Sequence, residues 1–247
     1  KSRNSESRVM ALAGYQKAIS NFVNIVTGRN DIKVRFSTGK DSYTDGKSIV
    51  ISSSIKDGAF DSTVGLALHE SSHCALTDFE LSNQVFLYGN LDKVPAIQKA
   101  IDSVVEAHPK YYFNEAVVRT AIKELTNIIE DRRIDNHIYT TAAGYKGYYH
   151  AMYDKYFNSK TIDDALKLGL MNNPHSYEDY IFHICNFANA NRRLSVLPEL
   201  RRIWDLVDLK NIGRLKNTYE SIELAAAIWA IIAVSYTHLR AHETRED

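Results

Sequence analysis

Residues 61–77 read DSTVGLALHESSHCALT and contain two closely spaced histidines. Asp61 and Ser62 are typical helix-capping residues, and the pattern that follows predicts a helix to about Thr77. His69 and His73 are four positions apart, so a helix presents both imidazoles on one face, close enough to share one zinc ion. The stretch therefore predicts a metal-binding helix.

Glu70 directly follows the first histidine of this H-E-x-x-H pattern. A carboxylate in that position can take a proton from a metal-activated water and pass it to a leaving amine. No proline interrupts the helix, and the two intervening serines add no charge. The alternative is that His69 and His73 are ordinary helix residues that face solvent or core.

A third ligand has to come from another element. An extended H-E-x-x-H-x-x-G-x-x-H pattern is excluded because Leu76 and Phe79 occupy the positions of its glycine and third histidine. The best candidate is Glu130, in the segment NIIEDRRID at residues 127–135. An apolar stripe predicts a long helix there and places Glu130 on its flank, where it can face the first helix; the stripe consists of Val118, Ile122, Leu125 and Ile129.

Neighbours of Glu130 supply further candidates. We expect Asp131, or alternatively Asp135, to accept the other ring N–H of a ligating histidine. His137 can replace Glu130 as a ligand or support the transition state. The alternative for the whole segment is a solvated charged face with ion pairs between residues three positions apart.

The remaining chain predicts an α+β fold with a small N-terminal sheet. Periodicity predicts a helix over residues 8–27, ended by Gly28, and strands over 32–36 and 48–52. Everything beyond the H-E-x-x-H helix is helical in pattern, at about 94–106, 113–140, 145–157, 161–170, 176–189 and 197–232. No linker-like stretch interrupts this pattern, so we expect one domain over residues 1–233.

Composition excludes several classes of protein. The chain has 247 residues, and its 30 Lys and Arg balance its 30 Asp and Glu, which argues against a dedicated binder of nucleic acid or anionic membranes. Two cysteines, Cys74 and Cys185, cannot form a disulfide framework, so we expect a reducing cytoplasm. The longest apolar run, Leu224 to Val234, is shorter than the ~20 residues of a membrane span, and the sequence opens on no signal peptide.

Residues 234–244, VSYTHLRAHET, look like the in-frame translation of a transposon-end sequencing adapter. We therefore expect the natural protein to continue beyond about Ala233 and residues 234–247 to carry no biology. His238 and His242 have a metal-ligand spacing, but they are excluded from the candidate site for this reason.

The H-E-x-x-H motif at residues 69–73, together with NIIEDRRI at 127–134, resembles the gluzincin-like metallopeptidases of bacteriophages and bacteria. These are related to the metallopeptidase-like region of the cobalt-chelatase large-subunit family. Weaker likenesses lie at YTDGK (43–47), GYKGYY (144–149) and LPELRRIW (197–204). The resemblance covers most of residues 30–233. It implies a zincin-like fold, with His69, His73 and Glu130 as zinc ligands and Glu70 as the general base.

The same resemblance implies partners. In such proteins a von Willebrand factor A domain often follows, and an AAA+ ATPase is encoded nearby. The first functional hypothesis is thus a cytoplasmic zinc-dependent peptidase that acts on a peptide or protein. The second is a non-catalytic, metal-binding adaptor for the ATPase or von Willebrand A partner, and a third, by family analogy alone, is a chelatase-like role in metal insertion.

Overall fold

The computed structural model describes residues 2–37, 42–52, 60–109, 114–168 and 176–243, and for residues 2–13 and 236–243 it describes the backbone only. The described chain is α+β, mostly helical with one three-stranded sheet, which confirms the predicted fold class at this level. Its α-helices are, in chain order, α1 (Ser2–Thr27), α2 (Phe60–Leu76), α3 (Phe79–Ser82), α4 (Pro95–Ala107), α5 (Glu115–Thr141), α6 (Lys146–Tyr156), α7 (Lys160–Leu168), α8 (Tyr177–Cys185), α9 (Leu200–Val207) and α10 (Thr218–Glu243).

The chain divides into two compact units. The first unit comprises residues 1–77 and 134–156, and the second comprises residues 78–133 and 157–247. One passage between them lies inside α5, and the others lie at 77/78 and 156/157. The sequence predicts one domain over residues 1–233, and it shows no boundary at 133/134 because α5 is continuous there.

The first unit contains the sheet. Strand β1 (Lys33–Ser37) pairs in parallel with β3 (Ser48–Ser52), and the short β2 (Tyr43–Thr44) pairs antiparallel with the other edge of β3. The central strand is the most apolar, and its Ile49 and Ile51 are fully buried. Strand β2 is not one of the two strands that the sequence predicts.

Helix α2 is held in the middle of the first unit. It packs against α1, the sheet and α6, and its Leu68 is fully buried in the core of this unit. Gly65 permits a very close approach to α6, because a Cβ atom there would lie 2.3 Å from the carbonyl oxygen of Tyr148. This packing fixes the direction in which α2 presents its histidines.

The second unit is a helical assembly around one apolar core. Helices α4, α5, α8, α9 and α10 contribute its buried side chains, among them Ile97, Ile122, Tyr180, Ile203 and Ile228. The sequence predicts one helix over 197–232, but α9 ends at Val207, where Asp208 has a positive φ of 44°, and a 3-10 segment (Leu209–Arg214) precedes α10. The Arg214 guanidinium donates to four carbonyls around this break, including that of Leu206 at 2.7 Å.

Two sequence-based predictions concern helix α10. Its backbone continues to Glu243, so the predicted boundary at residue 233 falls inside a helix, and residues 244–247 lie outside the described part. The window Thr218–Ser235 has the length and composition of a membrane span, but 56% of it is buried within the protein. A core helix has the same character, so the expected absence of a membrane span stays a prediction.

Candidate metal centre

The two histidines of the motif lie side by side on α2. Their ring centroids are 4.9 Å apart with the rings nearly perpendicular, and a nitrogen of His69 lies within 4.8 Å of a nitrogen of His73. Two nitrogens bound to one zinc ion at about 2.0–2.1 Å would be separated by about 3.3 Å. Small side-chain adjustments therefore suffice for both rings to bind one ion.

The His69 ring is oriented by a carboxylate from α5. Its Nδ1 lies 2.8 Å from Oδ1 of Asp135, a residue that is only 5% exposed. An ionised carboxylate only accepts hydrogen bonds, so Nδ1 carries the proton and donates it, and the lone pair of the neutral ring is on Nε2. A carboxylate that fixes the tautomer in this way is the usual support of a metal-ligating histidine.

The His73 ring has a similar contact just past the end of α2. Its Nδ1 lies 3.0 Å from Oγ1 of Thr77, one turn later. When Nδ1 donates to that hydroxyl, Nε2 is again the nitrogen with the lone pair. The same nitrogen of both rings is thus suited to bind a metal.

Glu70 is a buried carboxylate next to this pair, with 6% of its surface exposed. The serines that follow it are also buried, and their hydroxyls donate back to helix carbonyls, Ser71 to Ala67 and Ser72 to Leu68. Serine hydroxyls are uncharged, so these side chains add no competing charge beside Glu70. The predicted position of a general base is therefore present, although its catalytic role stays a prediction.

Glu130 has the contacts of a structural ion pair. Arg133 donates to both of its carboxylate oxygens, from Nη2 at 2.6 Å and Nε at 2.9 Å, and Thr218 donates to Oε1 at 2.9 Å. Burial opposes the charge on Glu130, but Arg133 and the hydroxyls of Ser221 and Thr218 together outweigh it and lower the pKa of this carboxyl. The predicted alternative is thus right about an ion pair three positions apart but wrong about a solvated face, since Glu130 is only 2% exposed.

The candidate residues on α5 point in different directions around the helix axis. A helix advances about 100° per residue, so Asp131 points within about 40° of Asp135, whereas Glu130 points about 140° away from it. His137 is about 160° away and exposed. The carboxylate that contacts the His69 ring is Asp135, the predicted alternative to Asp131 as the acceptor of the ring N–H.

Two tyrosines on α6 contribute to the site, and neither is among the predicted site residues. Tyr153 donates its hydroxyl to Oδ2 of Asp135 at 2.6 Å, and the hydroxyl of the buried Tyr149 lies 3.4 Å from Oγ of Ser72. The only sequence signal was their spacing of four positions, which puts both on one face of a helix. Cys74 is partly buried and packs against the core of the first unit, where burial raises the pKa of its thiol.

The chain matches no protein-family model, and no curated protein or solved structure matches it.

Proposed function

We propose that the protein is a zinc-dependent peptidase whose metal centre is built on α2. The observation that carries this proposal is the 2.8 Å contact between His69 and Asp135, because it orients a histidine of an H-E-x-x-H motif as a metal ligand needs. His69 and His73 supply two nitrogen ligands, and a zincin-like fold for the first unit belongs to the same proposal.

The third ligand in this proposal is Asp131, in place of the Glu130 that the resemblance implies. Asp131 offers a carboxylate oxygen one helical turn before Asp135, on the side of α5 that the His69 contact identifies. Glu130 points elsewhere and is engaged by Arg133 and Thr218. Two imidazoles and one carboxylate form a known donor set for catalytic zinc, which keeps a fourth position open.

Such a site suits hydrolysis. A bound zinc ion would supply a Lewis acid that polarises a peptide carbonyl and acidifies a water molecule. Glu70 accepts the proton of the attacking water on its carboxylate and delivers it to the nitrogen of the departing amine. The buried setting of Glu70 favours this role because bulk water competes less for its proton.

The first experiment measures zinc by elemental analysis in the wild type and in two matched variants, Asp131→Asn and Glu130→Gln. We expect about one zinc per chain in the wild type, little or no zinc in Asp131→Asn because it removes a ligand, and retention in Glu130→Gln. The reverse order would restore Glu130 as the ligand. A wild type that takes up no added zinc would refute the proposal.

Activity is tested separately with Glu70→Gln on a fluorogenic protein substrate. We expect the variant to keep its zinc and to lose about 10²–10⁴-fold in turnover. Zinc binding without hydrolysis by the wild type would instead favour the adaptor that works with an AAA+ ATPase or a von Willebrand A domain. Such an adaptor does not need Glu70, so Glu70→Gln would leave its partner binding unchanged.

A further inference from the structure

The carboxylate of Asp135 accepts hydrogen bonds from α2 and from α6, two different helices of the first unit. His69 on α2 donates to Oδ1 at 2.8 Å, and Tyr153 on α6 donates to Oδ2 at 2.6 Å. A distance of 2.6 Å is typical of a strong hydrogen bond from a hydroxyl to an ionised carboxylate. Since Asp135 is buried, these bonds replace the water that would otherwise solvate its charge.

We propose that Tyr153 is a positioning residue of the metal centre: by holding Asp135, it keeps the His69 ring in the tautomer that directs Nε2 to the metal. This inference rests on the proposed function, and it adds a helix that contributes no ligand to the site.

Tyr149 reinforces the same arrangement from one turn earlier on α6. Its hydroxyl reaches both Ser72, inside the H-E-x-x-H motif, and Asp135. Burial, with the negative charge of Asp135 close by, raises the pKa of Tyr149, so its hydroxyl stays protonated and able to donate. The face of α6 that carries Tyr149 and Tyr153 thus bonds to the motif helix and to the carboxylate that orients it.

Helix α6 is rigid enough for this role because it lies unusually close to α2. The backbone of Tyr148 and the side chain of Met152 approach Gly65 so closely that a Cβ there would meet both within 3 Å. Tyr153 directly follows the buried Met152 on this helix. A site is held best by side chains on packed helices, and here α6 supplies that support.

Removing the Tyr153 hydroxyl takes away the donor that lies 2.6 Å from Oδ2 of the buried Asp135. The carboxylate can then rotate, and the proton of a neutral His69 ring redistributes between Nδ1 and Nε2. Residues that contact ligands directly change metal affinity by about 10–100-fold. Tyr153 acts one residue further out, so we expect about 3–10-fold weaker zinc binding.

The test compares Tyr153→Phe with Tyr139→Phe. The control also loses a hydrogen-bonded hydroxyl in the first unit, because the Tyr139 hydroxyl lies 3.2 Å from Nε2 of His150. The first measurement is the zinc Kd, by competition with a chelator. The second is the His69 tautomer in the metal-free protein, from long-range ¹H–¹⁵N NMR correlations.

We expect Tyr153→Phe to weaken zinc binding and to populate the Nε2-protonated tautomer of His69, and Tyr139→Phe to do neither. An unchanged Kd and tautomer in Tyr153→Phe would overturn the inference. The wild type provides a check that needs no variant, since a His69 ring protonated mainly on Nε2 would also overturn it. If the wild type binds no zinc, the proposed function fails, whereas the tautomer measurement still decides whether Tyr153 positions the ring through Asp135.

Discussion

Glu130 and Arg133 form a buried ion pair, and both side chains also form hydrogen bonds with other groups. The backbone N–H of Asp78 donates to the Thr218 hydroxyl at 2.7 Å, which donates to Glu130, while Arg133 also reaches the carbonyl of Lys216 at 3.5 Å. A buried charge is tolerated when it is paired and bonded in this way. The pair therefore ties the start of α10 to α5 within the second unit.

Arg133→Met is expected to destabilise the protein by about 3–5 kcal/mol, because it leaves the Glu130 carboxylate buried without its cation. The double variant Glu130→Gln/Arg133→Met is expected to lose less than Arg133→Met alone, since no unpaired charge remains. Urea unfolding of the wild type and both variants measures these differences. A double variant less stable than Arg133→Met would show that the penalty is not one of charge burial.

The sequence predicts the local part of the site, but it offers Asp135 only as an alternative and does not predict Tyr153 as a site residue. His69, Glu70 and His73 lie in one pentapeptide, so helical spacing alone groups them. Asp135 and Tyr153 come from other helices, and only the packed structure shows which side of α5 faces His69. The apolar stripe of α5 could not separate Glu130 from Asp131, because adjacent residues on a helix flank differ by only about 100°.

Helices α2 and α6 approach each other closely at Gly65. A Cβ at this position would lie 2.3 Å from the Tyr148 carbonyl oxygen and 2.8 Å from Cβ of Met152. Neither obstacle is the movable end of a side chain, so the helices themselves would have to separate. Glycine, although unfavourable inside a helix, is what brings α6 near enough to support the metal centre.

Gly65→Ala is expected to destabilise the first unit by about 1–3 kcal/mol through overpacking and to weaken zinc binding as α6 shifts. The matched control is Gly147→Ala on α6, where an added Cβ meets nothing within 4 Å. It should be neutral or slightly stabilising. Hydrogen exchange of α2 and α6 amides checks both, and equal protection in the two variants would contradict the close-packing argument.

Long periodic helices are the elements that the sequence predicts best. The helices expected at 94–106, 113–140 and 145–157 are observed as α4, α5 and α6 with small shifts at their ends. Strand β2 has only two residues, too few for an alternation to show. The break between α9 and α10 depends on Arg214 bonding to carbonyls up to eight residues away, which no local pattern reveals.

For the whole molecule, the two units draw on interleaved parts of the chain. The first unit needs residues 134–156 to complete it, and these carry Asp135, Tyr149 and Tyr153. The motif helix and its supporting residues thus lie far apart in sequence but in one unit. The sequence alone gives no sign of this division, because α5 is continuous across it.

Both units bury tyrosines, and this predicts how the stability of the whole chain depends on alkaline pH. Burial raises the pKa of Tyr149 in the first unit and of Tyr177 in the second, and burial with the nearby Glu199 raises the pKa of Tyr180 to about 12. An unfolded tyrosine ionises near pH 10. Above that pH the unfolded state loses protons that the folded state retains, so stability is full below about pH 10 and falls as the pH rises.

Between pH 10 and 12 we expect each such tyrosine to remove at most about 1.4 kcal/mol of stability per pH unit. Tyr180→Phe should flatten this decline, because its ring stays buried and only the ionisable hydroxyl, which donates to the Pro198 carbonyl at 3.0 Å, is lost. Tyr156→Phe, at an exposed position, is the control and should follow the wild type. Urea unfolding at pH 9, 10 and 11 measures the slopes. A wild-type stability that does not change over this range would mean that these hydroxyls ionise as readily in the folded protein as in the unfolded chain.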